Sequence, residues 1–439
     1  MRKILIVGGG YAGFYTAKKL EKWLGRREAH VTMVDPLPYM TYQPFLPEVA
    51  AGSLDPRHAL VSHRRHLKRT EVITAKVTQV NHAQRVATIT PEVGEPWEES
   101  YDIVVVTAGA VSRTFPIPGV ADQAFGLKTI EEAAAIRDRM TDNFAKASNL
   151  PAGAERDRLL TTVVVGGGFA GIEVFGELRS FASALVGQYS QLSMEDTHFH
   201  LIEAMGRIMP EVSLKTSHWV IKNLEQRGAT VHLETQLASA TDGRIELSTG
   251  ETFESDLIVW TAGVMANPVL KNTDLPVEER GRLRVQADLR VVDDNGVVDG
   301  AWGAGDACAV PDLVEGQGVG GFTVPNAQHA VRQGKLMAKN LVAVIRGEEP
   351  RKYVHRNQGA VAGIGLYEGV YQGPFAIKGL IAWFMHRGYH GFAMPMWERK
   401  IRVFGEWIIN FLTRRDTVGI PARDTPRAAF EEFASRPKG

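Results

Sequence analysis

Two glycine-rich stretches carry the clearest chemistry in this sequence. In each, an apolar run leads into a Gly-x-Gly-x-x-Gly turn, and a helical pattern follows the turn. The glycines are Gly8, Gly10 and Gly13 in the first turn and Gly166, Gly168 and Gly171 in the second. The first glycine permits a sharp turn, the second lets the backbone approach a pyrophosphate, and the third lets the helix pack on its strand. The phosphate then meets free N–H groups at the positive end of the helix dipole. One copy is weak evidence, whereas two copies predict two bound dinucleotides.

An acidic residue ends the strand that follows each turn. Asp35 lies 22 residues after Gly13, close to the spacing at which a carboxylate accepts hydrogen bonds from a ribose 2′-hydroxyl. The alternative for Asp35 is a strand-end aspartate that caps the turn into Pro36. Glu203 ends the corresponding strand of the second copy, where its charge would repel the 2′-phosphate of NADPH. The second site is therefore predicted to prefer NADH, although Arg207 could partly offset that charge.

The elements around these turns form a module that occurs twice. Each module has the glycine turn, an acid-ended strand, an antiparallel insertion and a buried strand that ends in Thr-Ala-Gly, at 107–109 and at 261–263. Alternating residues over 71–89 predict the small antiparallel sheet of the first module. The repeat therefore predicts two domains of the same architecture.

Segments outside the repeat complete the expected organisation. A charged amphipathic helix is expected over 129–144 and a polar linker over 151–158. Another strand ends at 305–306, and a helix with apolar residues at helical spacing is expected to start at Pro325. Residues 39–49 are too rich in proline for a regular helix or a central strand. They form either a loop packed beside a cofactor ring or an ordinary buried connection.

Composition excludes several classes of protein. The 439 residues contain 50 basic and 50 acidic ones, so no nucleic-acid partner is predicted. Cys308 is the only cysteine, which excludes an intramolecular disulfide and a redox-active cysteine pair. We expect it to be a small buried residue of a protein in a reducing compartment. No apolar run reaches the ~18 residues of a membrane-spanning helix, and no metal site is predicted.

The segment 373–415 differs from the rest of the chain. Its aromatic residues alternate with lysines and arginines, a pattern that suits a helix lying in the headgroup layer of a bilayer. The alternatives are a dimer interface or a helical cover on the first dinucleotide-binding domain. Because glycines and a proline interrupt it within 385–395, two short helices are expected.

With these motifs the sequence resembles the two-dinucleotide-binding-domain flavoproteins and, more narrowly, the type II NADH:quinone oxidoreductases (alternative NADH dehydrogenases). The residues that carry the resemblance span nearly the whole chain: both glycine turns, Asp35, 107–109, Glu173, Glu177, Glu203, 305–306, Ala327 and Gln328. The resemblance implies an α/β fold with two Rossmann-like domains, for FAD and NAD(P)H, and a C-terminal amphipathic helical membrane-association segment. The implied boundaries are FAD-binding over 1–115 and 286–372, NADH-binding over 116–285, and membrane association over 373–439.

The resemblance also assigns residues to each cofactor. It implies FAD contacts by Gly8, Gly10, Tyr11, Ala12, Gly13, Asp35, Val77, Ala108, Gly109, Asp306 and Ala327. It implies NADH contacts by Gly166, Gly168, Phe169, Gly171, Glu173, Glu203, Ala262 and Gly263. The helix that starts near Asn326 would direct its positive end at the flavin, where reduction adds negative charge.

The implied catalytic residues are Glu173, Gln328 and Arg332. Glu173 would tune charge or relay protons towards a bound quinone, although an acid at a helix N-terminus is also favoured by the dipole alone. The family's quinone segment reads Ala-Gln-x-x-x-Gln-Gln, and here Arg332 replaces the first residue of the final pair. Arginine could still donate hydrogen bonds to a quinone carbonyl, or it could suit a different acceptor.

The predicted function is that of a non-proton-pumping, respiratory-chain NADH dehydrogenase. A hydride would pass from NADH to flavin N5, and two electrons would then reduce menaquinone or ubiquinone. The resemblance further implies a homodimer bound peripherally at the cytoplasmic face of the cell membrane. Two alternatives stay open: a soluble NAD(P)H-dependent reductase of an iron–sulfur protein or another acceptor, and a flavoprotein redox sensor.

Overall fold

The computed structural model describes residues 1–314, 316, 320–356, 359–420 and 427–434. Residues 421–426 and 435–439, which belong to the predicted membrane-association segment, lie outside the described residues. The α-helices are α1 (Tyr11–Trp23), α2 (Leu46–Ala50), α3 (His63–His66), α4 (Val120–Gln123), α5 (Ile130–Ala147), α6 (Ala154–Leu160), α7 (Phe169–Val186), α8 (Leu214–Gln226), α9 (Ala327–Ile345), α10 (Leu380–Ala393), α11 (Trp397–Thr413) and α12 (Ala428–Ala434).

The strands are mostly short and group into two large, mainly parallel sheets and several small sheets, most of which are antiparallel. They are β1 (Arg2–Val7), β2 (Ala29–Asp35), β3 (Tyr39–Thr41), β4 (Leu60–Ser62), β5 (Glu71–Thr74), β6 (Lys76–Asn81), β7 (Val86–Thr90), β8 (Trp97–Ser100), β9 (Ile103–Val106), β10 (Ala110–Ser112), β11 (Ala124–Gly126), β12 (Thr161–Val165), β13 (His198–Ile202), β14 (Ala229–His232), β15 (Leu237–Ser239), β16 (Arg244–Leu247), β17 (Thr252–Glu254), β18 (Leu257–Trp260), β19 (Val264–Ala266), β20 (Leu283–Arg284), β21 (Arg290–Asp293), β22 (Gly296–Gly303), β23 (Cys308–Ala309), β24 (Ala360–Gly363), β25 (Gly369–Gln372) and β26 (Ala376–Lys378).

The first domain is built around a 6-stranded sheet in the order β21-β22-β9-β1-β2-β5. Its central strands β1 and β9 are apolar and buried, as a parallel sheet covered on both faces requires. Strand β22 pairs in parallel with β9 although it follows the whole second module in the chain. This pairing brings the turn after β22 to the same sheet edge as the first glycine turn.

The second domain repeats this plan with a 5-stranded sheet in the order β11-β18-β12-β13-β14. All of its neighbouring strands pair in parallel. Each module carries a 3-stranded antiparallel insertion, β6-β7-β8 in the first and β15-β16-β17 in the second. The internal repeat predicted from the sequence is therefore present in the structure.

Three local expectations are wrong. Residues 71–74 form β5, which pairs with β2 and extends the parallel sheet instead of joining the antiparallel one. The prediction failed because the alternation of residues within one segment does not show which distant segment it pairs with. The expected linker over 151–158 contains most of α6, whose last two leucines are buried. The proline-rich stretch over 39–49 contains the short helix α2, with Pro47 in its first turn, where the missing N–H needs no partner.

The C-terminal part adds a 3-stranded sheet, β24-β25-β26, which packs against α10. The predicted boundary between 372 and 373 falls inside this sheet. The expected pair of helices is present as α10 and α11, separated by residues 394–396, which include Pro395. Gly388 and Gly391 do not interrupt the helix, because both lie within α10. Gly391 has a packing role, because a Cβ there would lie 2.6 Å from the Phe404 ring of α11. Among the described residues, no helix combines the length and apolar content needed to cross a bilayer.

Candidate active site

The two glycine turns have the same geometry. Gly8 has a φ of +99°, and Gly166 has a φ of +109°, a region that favours glycine. A Cβ on Gly13 would collide with the carbonyl of Gly8, and one on Gly171 would collide with the carbonyl of Gly166, so these glycines let each helix approach its strand. At Gly10, by contrast, a Cβ would meet nothing within 4 Å. The backbone there is open to a ligand at the start of α1.

Asp35 holds the first turn from one side. Its carboxylate accepts hydrogen bonds from Gly9 N–H at 2.6 Å and from Leu37 N–H at 2.8 Å. His63, which the sequence analysis did not single out, holds the same turn from the other side, with its Nε2 2.9 Å from the Gly9 carbonyl oxygen. Burial raises the pKa of Asp35 and lowers the pKa of His63. Both side chains therefore keep Gly9 in place.

A first cavity of about 670 Å³ lies over this turn, within the ~300–1,000 Å³ usual for small-molecule sites. Gly13 is the one residue predicted to contact FAD that does not line it, since its role is helix packing. The others line it: Gly8, Gly10, Tyr11, Ala12, Asp35, Val77, Ala108, Gly109, Asp306 and Ala327. Burial raises the pKa of the Asp306 carboxyl, and Lys128 opposes that shift. An open glycine turn for a pyrophosphate and carboxylates for hydroxyl groups fit FAD.

Gln333 explains how Asp306 is positioned. Its Oε1 accepts a hydrogen bond from Gly305 N–H at 2.8 Å, and its Nε2 lies 3.3 Å from Thr323 Oγ1. Gln333 is buried in α9, which packs against α1. This glutamine of the family's quinone segment therefore supports the turn after β22.

A second cavity of about 500 Å³ adjoins the first. It is lined by predicted residues of the second module and of α9: Gly168, Phe169, Gly171, Glu173, Gly263 and Gln328. The two cavities share a wall formed by Gln43, Lys128, Pro325, Asn326 and Ala327. Asn326 caps α9 by accepting a hydrogen bond from His329 N–H at 2.8 Å. The positive end of α9 therefore lies between the two cavities.

Besides Gly13, four predicted residues within the described part of the chain line neither cavity: Gly166, Glu203, Ala262 and Arg332. Glu203 repeats the role of Asp35, because its carboxylate accepts hydrogen bonds from Gly167 N–H at 2.6 Å and Met205 N–H at 2.7 Å. Arg207 donates to the carbonyls of Met209 and Val212, so its guanidinium is engaged by the backbone.

Arg332 lies beside the second cavity. Its guanidinium donates a hydrogen bond to the Gln328 carbonyl oxygen at 3.1 Å, one turn earlier in α9. The contact is with the backbone of Gln328, a residue that does line the second cavity. The predicted contact between Arg332 and an acceptor stays a prediction.

Two acidic residues of α7 have different surroundings. Glu173 lines the second cavity, and its Oε1 lies 3.0 Å from His386 Nε2 and 3.4 Å from the Gly363 amide nitrogen. Glu177, one turn later, is buried and forms an ion pair of 3.0 Å with Arg415. The structure thus places Glu173 at the site, whereas Glu177 joins α7 to the end of the C-terminal helices.

Sequence reasoning missed the residues that α10 supplies. Tyr389 and His390 line the second cavity, together with Pro44 and Pro47 from the proline-rich stretch. The available signal was a pair of histidines four residues apart, His386 and His390, within a helix rich in aromatic residues. Cys308 is buried as expected, and burial raises the pKa of its thiol.

The fold and the two adjoining cavities define a protein that binds two dinucleotides through paired Rossmann-like domains. The chain belongs to the pyridine nucleotide-disulphide oxidoreductase family, whose model matches residues 2–334. The predicted fold class is therefore confirmed. The family's name refers to disulphides, but this chain has a single cysteine.

The chain is also similar to individual proteins whose names state an activity. The type II NADH:quinone oxidoreductases of two Staphylococcus aureus strains, bovine RF122 / ET3-1 and NCTC 8325 / PS 47, are each 29% identical to this chain over 376 residues, covering 84% of it and 89% of the relative. The resemblance noted from the sequence is thereby confirmed.

Solved structures agree on the fold. NDH2 from Plasmodium falciparum, in complex with NADH, superposes with a TM-score of 0.87 at 18% identity and covers 95% of this chain and 99% of its own. A ferredoxin reductase from Rhodopseudomonas palustris has a TM-score of 0.64 at 19% identity, over 84% of this chain and 82% of its own. The first similarity extends over the C-terminal helices as well.

Proposed function

We propose that this protein is an FAD-dependent NADH:quinone oxidoreductase. The observation that carries the proposal is the shared wall between the two cavities, formed in part by the N-terminus of α9. One cavity has the features that fit FAD, and the other joins the second glycine turn to Glu173 and Gln328. A nicotinamide held by the second module would therefore lie beside a flavin held by the first.

Bound FAD supplies the hydride-accepting N5 atom. The chain contributes position and electrostatics: Asp35 and Asp306 would accept hydrogen bonds from hydroxyl groups of the cofactor, and the α9 N-terminus would stabilise the negative charge that the ring gains. The second glycine turn and Glu203 would hold NADH. Two backbone N–H groups hold the Glu203 carboxylate at the end of the strand after the second glycine turn. If the ribose of the nucleotide lies there, a 2′-phosphate would be repelled.

The second cavity also suits a quinone. Its walls combine apolar residues, Pro44, Leu46, Pro47 and Tyr389, with the polar side chains of Glu173 and Gln328. A flat apolar ring with carbonyl groups needs both kinds of contact. Nicotinamide and quinone would occupy this space in turn, which makes the reaction ping-pong.

We further propose that α10 and α11 bind the surface of the bilayer, at its cytoplasmic face. These helices, and Phe375 just before β26, expose large apolar side chains to solvent. They are Phe375, Leu380, Ile381, Phe384, Phe392, Trp397, Ile401, Ile408, Ile409, Phe411 and Leu412. Basic residues lie among them, including Lys400 and Arg402. Such a face matches the acyl–headgroup boundary of an anionic membrane, next to a lipid-soluble quinone. Homodimerisation stays a prediction from the resemblance.

Replacing two outward residues of α11 with glutamate, Ile408→Glu and Phe411→Glu, is expected to weaken liposome binding by about tenfold or more per residue. The Ile408 and Phe411 side chains are 60% and 75% exposed to solvent. Burying such a side chain in the bilayer contributes about 1.5–3 kcal/mol to the free energy of membrane binding. Co-sedimentation with anionic vesicles measures the effect. Val93→Glu is the matched control, because Val93 is 89% exposed in the antiparallel insertion of the first domain. Equal binding by all variants would contradict the proposed membrane face.

Stopped-flow double mixing tests the reaction itself. The protein is reduced with one equivalent of NADH and then mixed with menaquinone or ubiquinone in liposomes while flavin absorbance is followed. Reoxidation faster than with oxygen alone is expected. Fast reduction without quinone-dependent reoxidation would refute the proposal and favour a soluble reductase or a redox sensor.

A further inference from the structure

Two imidazoles and a carboxylate come together in the second domain, and none of them lines either cavity. His200 belongs to β13, His232 to β14, and Glu251 to the turn between β16 and β17. One ligand atom from each of the three side chains lies within 4.8 Å of the other two. Within the described part of the chain, no other three histidine, cysteine or acidic side chains converge in this way. The group has no local sequence motif, because separate segments supply its members.

The two imidazoles face each other. His200 Nδ1 lies 3.0 Å from His232 Nε2, the ring centroids are 5.3 Å apart, and the ring planes differ by 12°. Two nitrogens bound to one tetrahedral zinc ion, each at ~2.0–2.1 Å from it, lie about 3.3 Å from one another. The two nitrogens are therefore already about as close as one shared ion requires. Without an ion, one ring donates a hydrogen bond to the other, and an ion would replace that proton and turn both lone pairs towards itself.

The antiparallel insertion of the second domain covers this pair. The Phe253 ring of β17 lies over the His200 ring, with centroids 4.1 Å apart and planes at 20°. Glu251 Oε2 lies 3.7 Å from His232 Nδ1, and the Glu251 side chain is 50% exposed, so its carboxylate has room to swing towards the facing nitrogens. Burial lowers the pKa of His200 to about 4, and the neighbouring His232 and His198 add to that shift. The His200 ring is therefore neutral at neutral pH, the form in which histidine binds a metal.

The donor atoms of this group determine which cations it suits. Two imidazole nitrogens and one carboxylate oxygen are typical ligands of zinc and of its neighbours among the divalent transition metals. Magnesium and calcium prefer oxygen ligands throughout. Three protein ligands leave the fourth position of a tetrahedral ion for water, which the exposed side of Glu251 makes accessible.

We propose that His200, His232 and Glu251 bind one zinc ion, which links the antiparallel insertion to the parallel sheet of the second domain. The two histidines belong to the sheet and the glutamate belongs to the insertion, so one ion holds both elements. The His232 carbonyl oxygen accepts a hydrogen bond from Glu203 N–H at 2.9 Å. The zinc site therefore lies next to the strand end that carries Glu203, and it is independent of the quinone reaction.

The first test is equilibrium dialysis of the full-length flavoprotein, without a histidine tag, against Zn²⁺, with bound zinc measured by elemental analysis. His200→Gln and Glu251→Gln are each expected to weaken zinc binding by about tenfold or more, and excess Mg²⁺ should not displace the ion. His30→Gln is the matched control, because the first module holds a histidine–glutamate pair, His30 and Glu71, at 2.8 Å on the corresponding strands. Equal zinc binding by all variants, or no binding by the unmodified protein, would overturn the proposal.

The second test asks whether the ion links the two elements. Zinc at about ten times its Kd is expected to slow amide hydrogen exchange over 244–254, which covers β16 and β17, by about tenfold. Exchange over 76–100, the insertion of the first module, should not change. Glu251→Gln should abolish the slowing, and this variant remains informative if a histidine variant fails to fold, because Glu251 lies in an exposed turn. Zinc binding without slower exchange over 244–254 would overturn the proposed link.

Discussion

Replacing Gly171 with alanine is expected to leave FAD bound and to remove most of the reduction of the flavin by NADH. A Cβ at this position would collide with the carbonyl of Gly166 and lie 2.7 Å from Thr261 Oγ1. The Gly166 carbonyl oxygen belongs to the backbone, so it cannot rotate out of the way as a side chain could. Overpacking of this kind costs about 1–3 kcal/mol, which corresponds to about 10–100-fold weaker NADH binding. The first module is untouched, so the protein should still be purified with its flavin.

The internal repeat supplies the counterpart of this experiment. Gly13→Ala introduces the same collision, with the Gly8 carbonyl, and is expected to yield protein depleted of FAD. Gly405→Ala is the control, because a Cβ there meets nothing within 4 Å. The flavin-to-protein absorbance ratio and the NADH dependence of flavin reduction measure the two effects. NADH reduction at the normal rate in Gly171→Ala would contradict the assignment of the second turn.

Replacing Arg415 with methionine is expected to destabilise the protein by about 3–5 kcal/mol, the usual cost of leaving a buried charge without its partner. Arg415 Nη2 lies 3.0 Å from Glu177 Oε2, and the two side chains are 7% and 5% exposed. Arg415 also donates to the carbonyl oxygen of Ala51 at 3.0 Å. The residue thus fastens the end of the C-terminal helices to α7, the helix that carries Glu173.

The double variant Glu177→Gln with Arg415→Met tests this explanation, because it removes the orphaned charge. Its melting temperature should lie clearly above that of Arg415→Met alone, since replacing both partners of a buried pair is often nearly neutral. Arg414→Met, a change at the exposed neighbouring position, is the control. If the double variant melted no higher than the single one, the loss of stability would not come from Glu177.

The sequence by itself determined the two-module plan and the cofactor turns. The reason is physical: a glycine turn, its preceding apolar strand and its following helix are local, and their spacing is set by backbone geometry. Asp35 and Glu203 could be placed in the same way, because each ends the next strand of its module. The repeat of the whole pattern made the prediction of two dinucleotides specific.

The tertiary structure alone decided how the modules and the C-terminal helices meet. Glu177 and Arg415 are 238 residues apart in the chain, and β22 joins β9 only after the second domain is complete. Contacts of this kind depend on packing between distant segments, which local periodicity does not record. For the same reason His386 looked like one polar residue in an aromatic helix, and only the packing of α10 on β24, which itself contacts α7, placed it near Glu173.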